Sequence, residues 1–174
     1  TLDLFLTRLV ESTGGPIPSN FVVTLPKVSD SAEVWILTRA LDEIENGLGL
    51  ERASIGIEVM VETARAIFSP SGTLALPWIV DAADGRCVAA HFGAYDYLSE
   101  LGIAASEQRL RHPACDVARN LMKLSLAGLA VDLSDGVTNL MPVGPHRGAD
   151  ISNEQQAQNA TAVRSAWKLH YDNI

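Results

Sequence analysis

Cysteine is scarce in this 174-residue sequence. Cys87 and Cys115 are its only two, they stand far apart, and no Cys-x-x-Cys pair or Cys/His cluster has zinc spacing. A disulfide framework is therefore excluded; each cysteine reads as a small buried apolar residue, and a reducing cytoplasm is the expected setting. Long apolar runs are missing too. The opening TLDLFLTRLVES carries Asp3 and Arg8 inside its apolar stretch, so it is no signal peptide. No segment reaches the roughly 20 apolar residues of a membrane span. Basic charge is in short supply: 13 Lys and Arg against 21 Asp and Glu leave a net charge of −8. Such a surface repels phosphate backbones and excludes nucleic acid as a general partner, while leaving room for a small anion held by local donors or a metal. No GxSxG, HExxH or motif-spaced Cys/His dyad occurs, so acyl transfer through a nucleophile and zinc proteolysis have no support. An initiator Met is absent as well, which points to a processed product or a fragment.

What is present is a globular composition, 47% hydrophobic and 20% charged, with a single domain over residues 1–174 as the expectation. Four short runs read as strands: 21–25, 54–61, 87–92 and 129–132. Helical spacing marks 2–10, and 34–48 is the clearest amphipathic helix. Its apolar residues Val34, Leu37, Leu41, Ile44 and Leu48 follow steps of three and four behind the capping box Asp30–Glu33. Further helical stretches are 62–68, 73–83, 97–101, 114–126 and 153–171; the last carries Ala157, Ala160, Val163, Trp167 and His170 on one stripe. Strands alternating with helices every 30 to 40 residues mean βαβ units and a parallel sheet. Two architectures remain, a doubly wound sheet or part of a (β/α)8 barrel. No glycine-rich phosphate fingerprint follows a strand, which weighs against a dinucleotide fold. A complete barrel needs about 250 residues, so a barrel here is an incomplete segment of about four βα units.

In either architecture ligands bind at the C-terminal ends of the strands. The residues there are Pro26 and Lys27, Glu62 and Thr63, Asp96, and Asp132 with Asp135. Carboxylates and one lysine on one rim suit a hard divalent cation, which takes one or two carboxylates and keeps positions for water and substrate oxygens. Structural readings stand beside this one. Glu62 fits the first turn of a helix, Asp96 fits the cap of a helix over 97–101, and Lys27 fits a solvated loop charge. His91 fits a hydrogen-bonded core residue, and Arg109, Arg111 and His112 form a small basic cluster that suits a phosphate or plain solvent.

Four motifs, in order, add a resemblance. Leu25-Pro26-Lys27-Val28 is similar to the strand-end "PKV" of the HpcH/HpaI aldolase and citrate lyase beta-subunit superfamily. Met60-Val61-Glu62-Thr63-Ala64-Arg65 resembles its "IET-A-G". Phe92-Gly93-Ala94-Tyr95-Asp96-Tyr97 resembles its "FGAEDL", and His112-Pro113 to Gly128 resembles the helix that leads into the next strand. The match runs over about residues 21–144. The resemblance implies a (β/α)8 barrel of the phosphoenolpyruvate/pyruvate type, seen from the helix before its fourth strand to a point before its eighth, in a segment of a longer chain. It implies Glu62 and Asp96 as ligands of magnesium or manganese, facing one another across the strand ends. It further implies Gly93 and Ala94 as backbone donors to the substrate carboxylate and Lys27 as a catalytic positive charge. The implied activity is a metal-dependent carbon–carbon lyase or aldolase acting on a 2-oxo acid or acyl-CoA through a stabilised enolate, in a homo-oligomer. A non-catalytic barrel relative serving as a binding or assembly module is the alternative. The acid beside Asp96 in the family motif is replaced here by Tyr95, and the family's substrate-clamping arginine belongs to an earlier strand than any present.

Overall fold

Four strands, Val22–Leu25 (β1), Gly56–Val61 (β2), Cys87–Phe92 (β3) and Asp132–Ser134 (β4), pair in parallel in the computed structural model, which describes residues 1–138 and 140–172. Their spatial order is β1-β2-β3-β4, each strand beside its successor. A doubly wound sheet reverses its order at a switch point. No reversal occurs among the described residues, so the sheet has the winding of a barrel that is not closed.

One face of the sheet is apolar. Ile57, Val59 and Val61 of β2 and Cys87, Ala90 and Phe92 of β3 are buried there. They lie in one core with residues of the helices Ser31–Leu48 (α2), Leu76–Asp81 (α4) and Pro113–Leu126 (α6). The register slips by one residue after Ile57, which pairs with Cys87 while Glu58 pairs with Ala89, so Val88 is skipped. Both cysteines are free and buried, and burial pushes the Cys87 thiol up to about 11, in keeping with an unreactive apolar role.

The helix α2 forms as its spacing predicts. Asp30 accepts from the Ala32 N–H at 2.8 Å, Glu33 reaches back to the Ser29 N–H at 2.8 Å, and Gly49 closes the end in the left-handed region. Val34 and Leu41 are fully buried; Leu37, Ile44 and Leu48 are half-buried against the same core. Leu41→Ala is expected to cost about 3 kcal/mol in urea unfolding, as for other packed core leucines. A loss within 0.5 kcal/mol, about the size of a surface substitution, would contradict this packing.

Several boundaries differ from expectation. The first helix (α1) extends over Leu2–Thr13, and the turn after β2 is only Ala64–Ile67 (α3). The helix expected over 73–83 shortens to α4, with Pro77 at its start. The helix after β3 spans Ala94–Glu100 (α5), three residues earlier than expected. The fourth strand is Asp132–Ser134 rather than 129–132, because the apolar Leu129 to Val131 precede the paired residues.

Residues Thr1–Ser134 form one compact unit and Asp135–Ile174 another. In the second, Asn159 of the helix Asn153–Asp172 (α7) clasps the backbone of His146, accepting its N–H and donating to its carbonyl, both at 2.9 Å. Its buried side runs through Ala166, while Trp167, expected on the packed stripe, is 60% exposed. Trp167 is bulky and sits one position round the helix from Ala166, outside the sheltered face. Among the described residues no helix is long and apolar enough to cross a membrane.

Candidate metal centre at the strand ends

Lys27, two residues past β1, has a left-handed backbone with φ 52°, a conformation that few non-glycine residues adopt. This turn aims its N–H at Glu62, whose Oε1 accepts it at 2.6 Å. Glu62 follows β2 directly and is only 4% exposed. Its neighbour Thr63 donates to the Val28 carbonyl at 2.7 Å and caps α3 by accepting from Ala66. Consecutive residues at the end of β2 are thus tied to consecutive residues past β1. Glu62 is not a residue of α3: Thr63 is that helix's cap, so the first-turn reading fails.

The end of β3 comes up against the same carboxylate. The Gly93 N–H donates to the Val61 carbonyl at 3.0 Å and prolongs the ladder beyond the strand. A Cβ on Gly93 would sit 2.5 Å from Glu62 Cβ and 2.6 Å from its Oε2, so only glycine lets the two strand ends lie this close. With its N–H engaged, Gly93 is no free donor for a substrate carboxylate. Ala94, buried and first in α5, has an N–H that no carbonyl of its own helix reaches.

Asp96 sits in the first turn of α5 and caps nothing; the cap position is Gly93. Its Oδ2 meets Lys27 Nζ at 2.8 Å, with both side chains more than half exposed. That hydrogen bond is the main cause holding the Asp96 carboxyl below its usual range, with the lysine charge and a hydrogen bond to Glu62 adding to it. The same contact pushes the Lys27 ammonium above its ordinary value, against the opposing effect of desolvation, and the charges of Asp96 and Glu62 add to the rise.

Three strand ends thus converge: Lys27 from β1, Glu62 from β2, and Gly93, Ala94 and Asp96 from β3. Asp132 lies elsewhere, within β4 rather than past its end, and Asp135 bonds its oxygen to the Gly136 N–H in the second unit. The basic cluster is occupied locally: Arg109 pairs with Glu107 at 3.1 Å, and His112 Nδ1 caps α6 at the Ala114 N–H. Among the described residues no group of three or more His, Cys, Asp or Glu is arranged to hold a metal. The donor set at the rim is two carboxylates, which is the complement that magnesium takes when water and substrate oxygens complete its shell. The ammonium drawn to Asp96 agrees with a rim that takes positive charge.

A second charged cluster was not legible in the sequence. Arg86, fully buried before β3, donates to both oxygens of Glu45 at 2.7 and 2.6 Å, to Asp42 and to the Ile55 carbonyl. Glu45 stands one position beyond Ile44 of the α2 stripe, and its carboxylate also accepts the N–H groups of Ala53 and Ile55 at 2.9 Å. The only signal was a glutamate interrupting an apolar helix face, with no partner in view.

A family described as a domain of unknown function (DUF6986) matches residues 1–174. No curated protein matches the chain. Among solved structures, malate synthase of Haloferax volcanii in its pyruvate/acetyl-CoA ternary complex is 14% identical, with a TM-score of 0.59 over 92% of this chain and 41% of that one. The same enzyme in a magnesium/glyoxylate complex gives 15% identity and a TM-score of 0.58, over 92% and 44%. A citrate lyase of Burkholderia xenovorans LB400 is 17% identical, with a TM-score of 0.57 over 90% of this chain and 52% of that one. The likeness is one of fold, and the chain spans about half or less of the length of these proteins.

Proposed function

The chain belongs to the family described as a domain of unknown function (DUF6986), and we propose that it carries the metal rim of a magnesium-dependent carbon–carbon lyase or aldolase. The substrate class is a 2-oxo acid or an acyl-CoA. One observation carries the reading: Lys27, Glu62 and Asp96, from three successive strand ends, are joined by contacts of 2.6 and 2.8 Å. Malate synthase, with pyruvate and acetyl-CoA or with magnesium and glyoxylate, and citrate lyase share the fold and support the choice of chemistry. A divalent cation held by Glu62 and Asp96 supplies Lewis-acid stabilisation of the negative charge that develops on a substrate carbonyl oxygen.

The chain's own groups act around it. The Lys27 N–H fixes one Glu62 oxygen and so orients the other. The Lys27 ammonium keeps Asp96 ionised and adds positive charge where an anionic substrate arrives. The Ala94 N–H, at the open first turn of α5, receives the substrate carboxylate.

Asp96→Asn preserves size and one acceptor oxygen while removing the charge. In the full natural polypeptide its magnesium affinity is expected to fall at least about tenfold, the size that 1.4 kcal/mol carries, and turnover falls with it. Magnesium titration of deuterium exchange into the methyl group of pyruvate measures both. Partial recovery at excess magnesium supports the assignment, and unchanged metal dependence overturns it.

The second reading, a non-catalytic binding or assembly module, draws on the Lys27–Asp96 ion pair, since an ammonium there neutralises the rim without a metal. It predicts that magnesium leaves the melting temperature of the wild type unmoved and that pyruvate takes up no deuterium.

A further inference from the structure

The face of the sheet turned away from the helices is unusually polar for a parallel sheet. Barrel interiors are packed with Val, Ile and Leu in layers. Here the first row across the strands is Thr24, Glu58, Ala89 and Asp132, and the next is Met60, His91 and Ser134. Glu62 and Gly93 stand above that second row. Thr24 Oγ1 donates to Glu58 at 2.7 Å, and His91 Nδ1 lies 3.0 Å from Ser134 Oγ.

We propose that His91 is a catalytic residue of this site, the group that exchanges a proton with the substrate carbon next to the carbonyl. The inference rests on the metal-rim reading and assigns the proton transfer that reading leaves open. His91 shares a strand face with Gly93 and lies two residues below it, about 7 Å at the rise of a parallel strand. Its row partner Met60 stands in the same relation to Glu62 on β2. The imidazole is therefore one pleat beneath the rim, on the side to which Glu62 and Gly93 belong. It is half-buried, and among the described residues its Nε2 has no hydrogen-bond partner. Nε2 is not one of the buried atoms left without a partner, so it is open to solvent and to a ligand on this face.

The mechanism uses the tautomer in which the Nδ1–H donates to Ser134 Oγ, which leaves the Nε2 lone pair for the substrate. The C–H bond next to the carbonyl breaks, its electron pair moves toward the carbonyl oxygen, and the proton forms a new bond to Nε2. In the direction of carbon–carbon cleavage Nε2 takes the proton of the substrate hydroxyl as that oxygen becomes a carbonyl and the C–C electron pair passes to the enolate, and the same proton then goes to the enolate carbon, so no further reactant is needed. The charged groups on this face or at the rim above it are Glu58, Asp132, Glu62, Asp96 and Lys27. Ser134 is a positioning residue.

The test uses pyruvate and magnesium with the full natural polypeptide. Absence of magnesium-dependent exchange in the wild type refutes the metal-rim reading itself, and this inference with it. Given exchange in the wild type, His91→Gln is expected to lower its rate on the order of 100-fold or more, the usual share of a general acid or base. Calorimetric pyruvate binding with magnesium stays within about twofold. In His91→Ala, added imidazole restores exchange in proportion to its concentration, which a structural role would not allow. Ser134→Ala lowers the rate by about tenfold, as for one ordinary hydrogen bond, and shifts the His91 ring nitrogen resonances in the metal-free protein. Exchange preserved in His91→Gln overturns the inference. So does loss of exchange together with loss of pyruvate binding and without imidazole rescue.

Discussion

Replacing Arg86 by alanine lowers the unfolding free energy by about 3–5 kcal/mol, the cost of leaving a buried charge without its partner. Arg86 is fully buried and Glu45 nearly so, and the guanidinium engages both oxygens of that carboxylate. Removing it leaves Glu45 in the interior with only the Ala53 and Ile55 N–H groups. The pair is not in itself a source of great stability, since desolvating two ions offsets most of their attraction and Arg86 Nε has no partner among the described residues. The double replacement Arg86→Met with Glu45→Leu is therefore expected to recover most of the loss. Acid titration reads the same contact. Burial opposes ionisation of Glu45, but Arg86 and the two N–H groups outweigh it and hold the carboxyl below its ordinary value; Arg86 does the same for Asp42. A depressed carboxylate contributes stability that is present above its unfolded pKa, near 4, and is lost as pH falls through the folded value. Denaturant midpoints in wild type should accordingly fall below about pH 4. The Arg86→Ala protein should show less of that acid dependence.

On the proposed metal-rim reading, Gly93→Ala is expected to weaken magnesium binding severely while leaving the protein folded. The new methyl group would lie 2.5 Å from Glu62 Cβ, an atom whose position the backbone at the end of β2 dictates. Rotating the Glu62 side chain cannot relieve that contact, so the two strand ends must part. The stability cost is about 1–3 kcal/mol, as for overpacking elsewhere. The larger effect falls on the site, because Glu62 leaves the Lys27 N–H and the cation loses a placed ligand. A loss in affinity of about 100-fold or more, some 2.7 kcal/mol, should appear by isothermal titration. Gly102→Ala is the control. Gly102 has φ 74° and open space around it, so a methyl group there strains the backbone and touches nothing near the rim. Its stability should fall by about 1–2 kcal/mol with magnesium affinity unchanged. Equal affinities in wild type and Gly93→Ala would remove Glu62 from the metal site.

What the sequence made legible was whatever depends on neighbours along the chain. The steps of three and four in α2 and the β-branched runs of β2 and β3 are local patterns, and the buried faces follow them. Glu45 and Thr38 are polar residues beside the apolar stripe of α2, yet both are buried, because Arg86 comes from 41 positions away and Thr38 bonds back to the Val34 carbonyl. No spacing rule reaches that far. The displaced β4 has the opposite cause: Leu129 to Val131 carry the stronger strand propensity, but register with Ala89 to His91 selects Asp132 to Ser134. At the rim the residue types were visible and their convergence was not. Asp96 is a competent cap for a helix over 97–101, but α5 begins at Ala94, so Asp96 falls inside its first turn and its carboxylate meets the Lys27 ammonium instead.

The uninterrupted strand order also bears on synthesis. A sheet in which every strand lies beside its predecessor can grow from its first edge as the chain emerges, with no strand waiting for a distant partner. The rim matures in instalments on that schedule. Docking of β2 on β1 already joins Glu62 to the Lys27 N–H, whereas Asp96 arrives only with α5. At 5–20 residues per second, elongation from Lys27 to Asp96 takes roughly 3–14 seconds. The order of synthesis thus puts both partners of the Lys27–Glu62 contact ahead of the more exposed carboxylate along the chain.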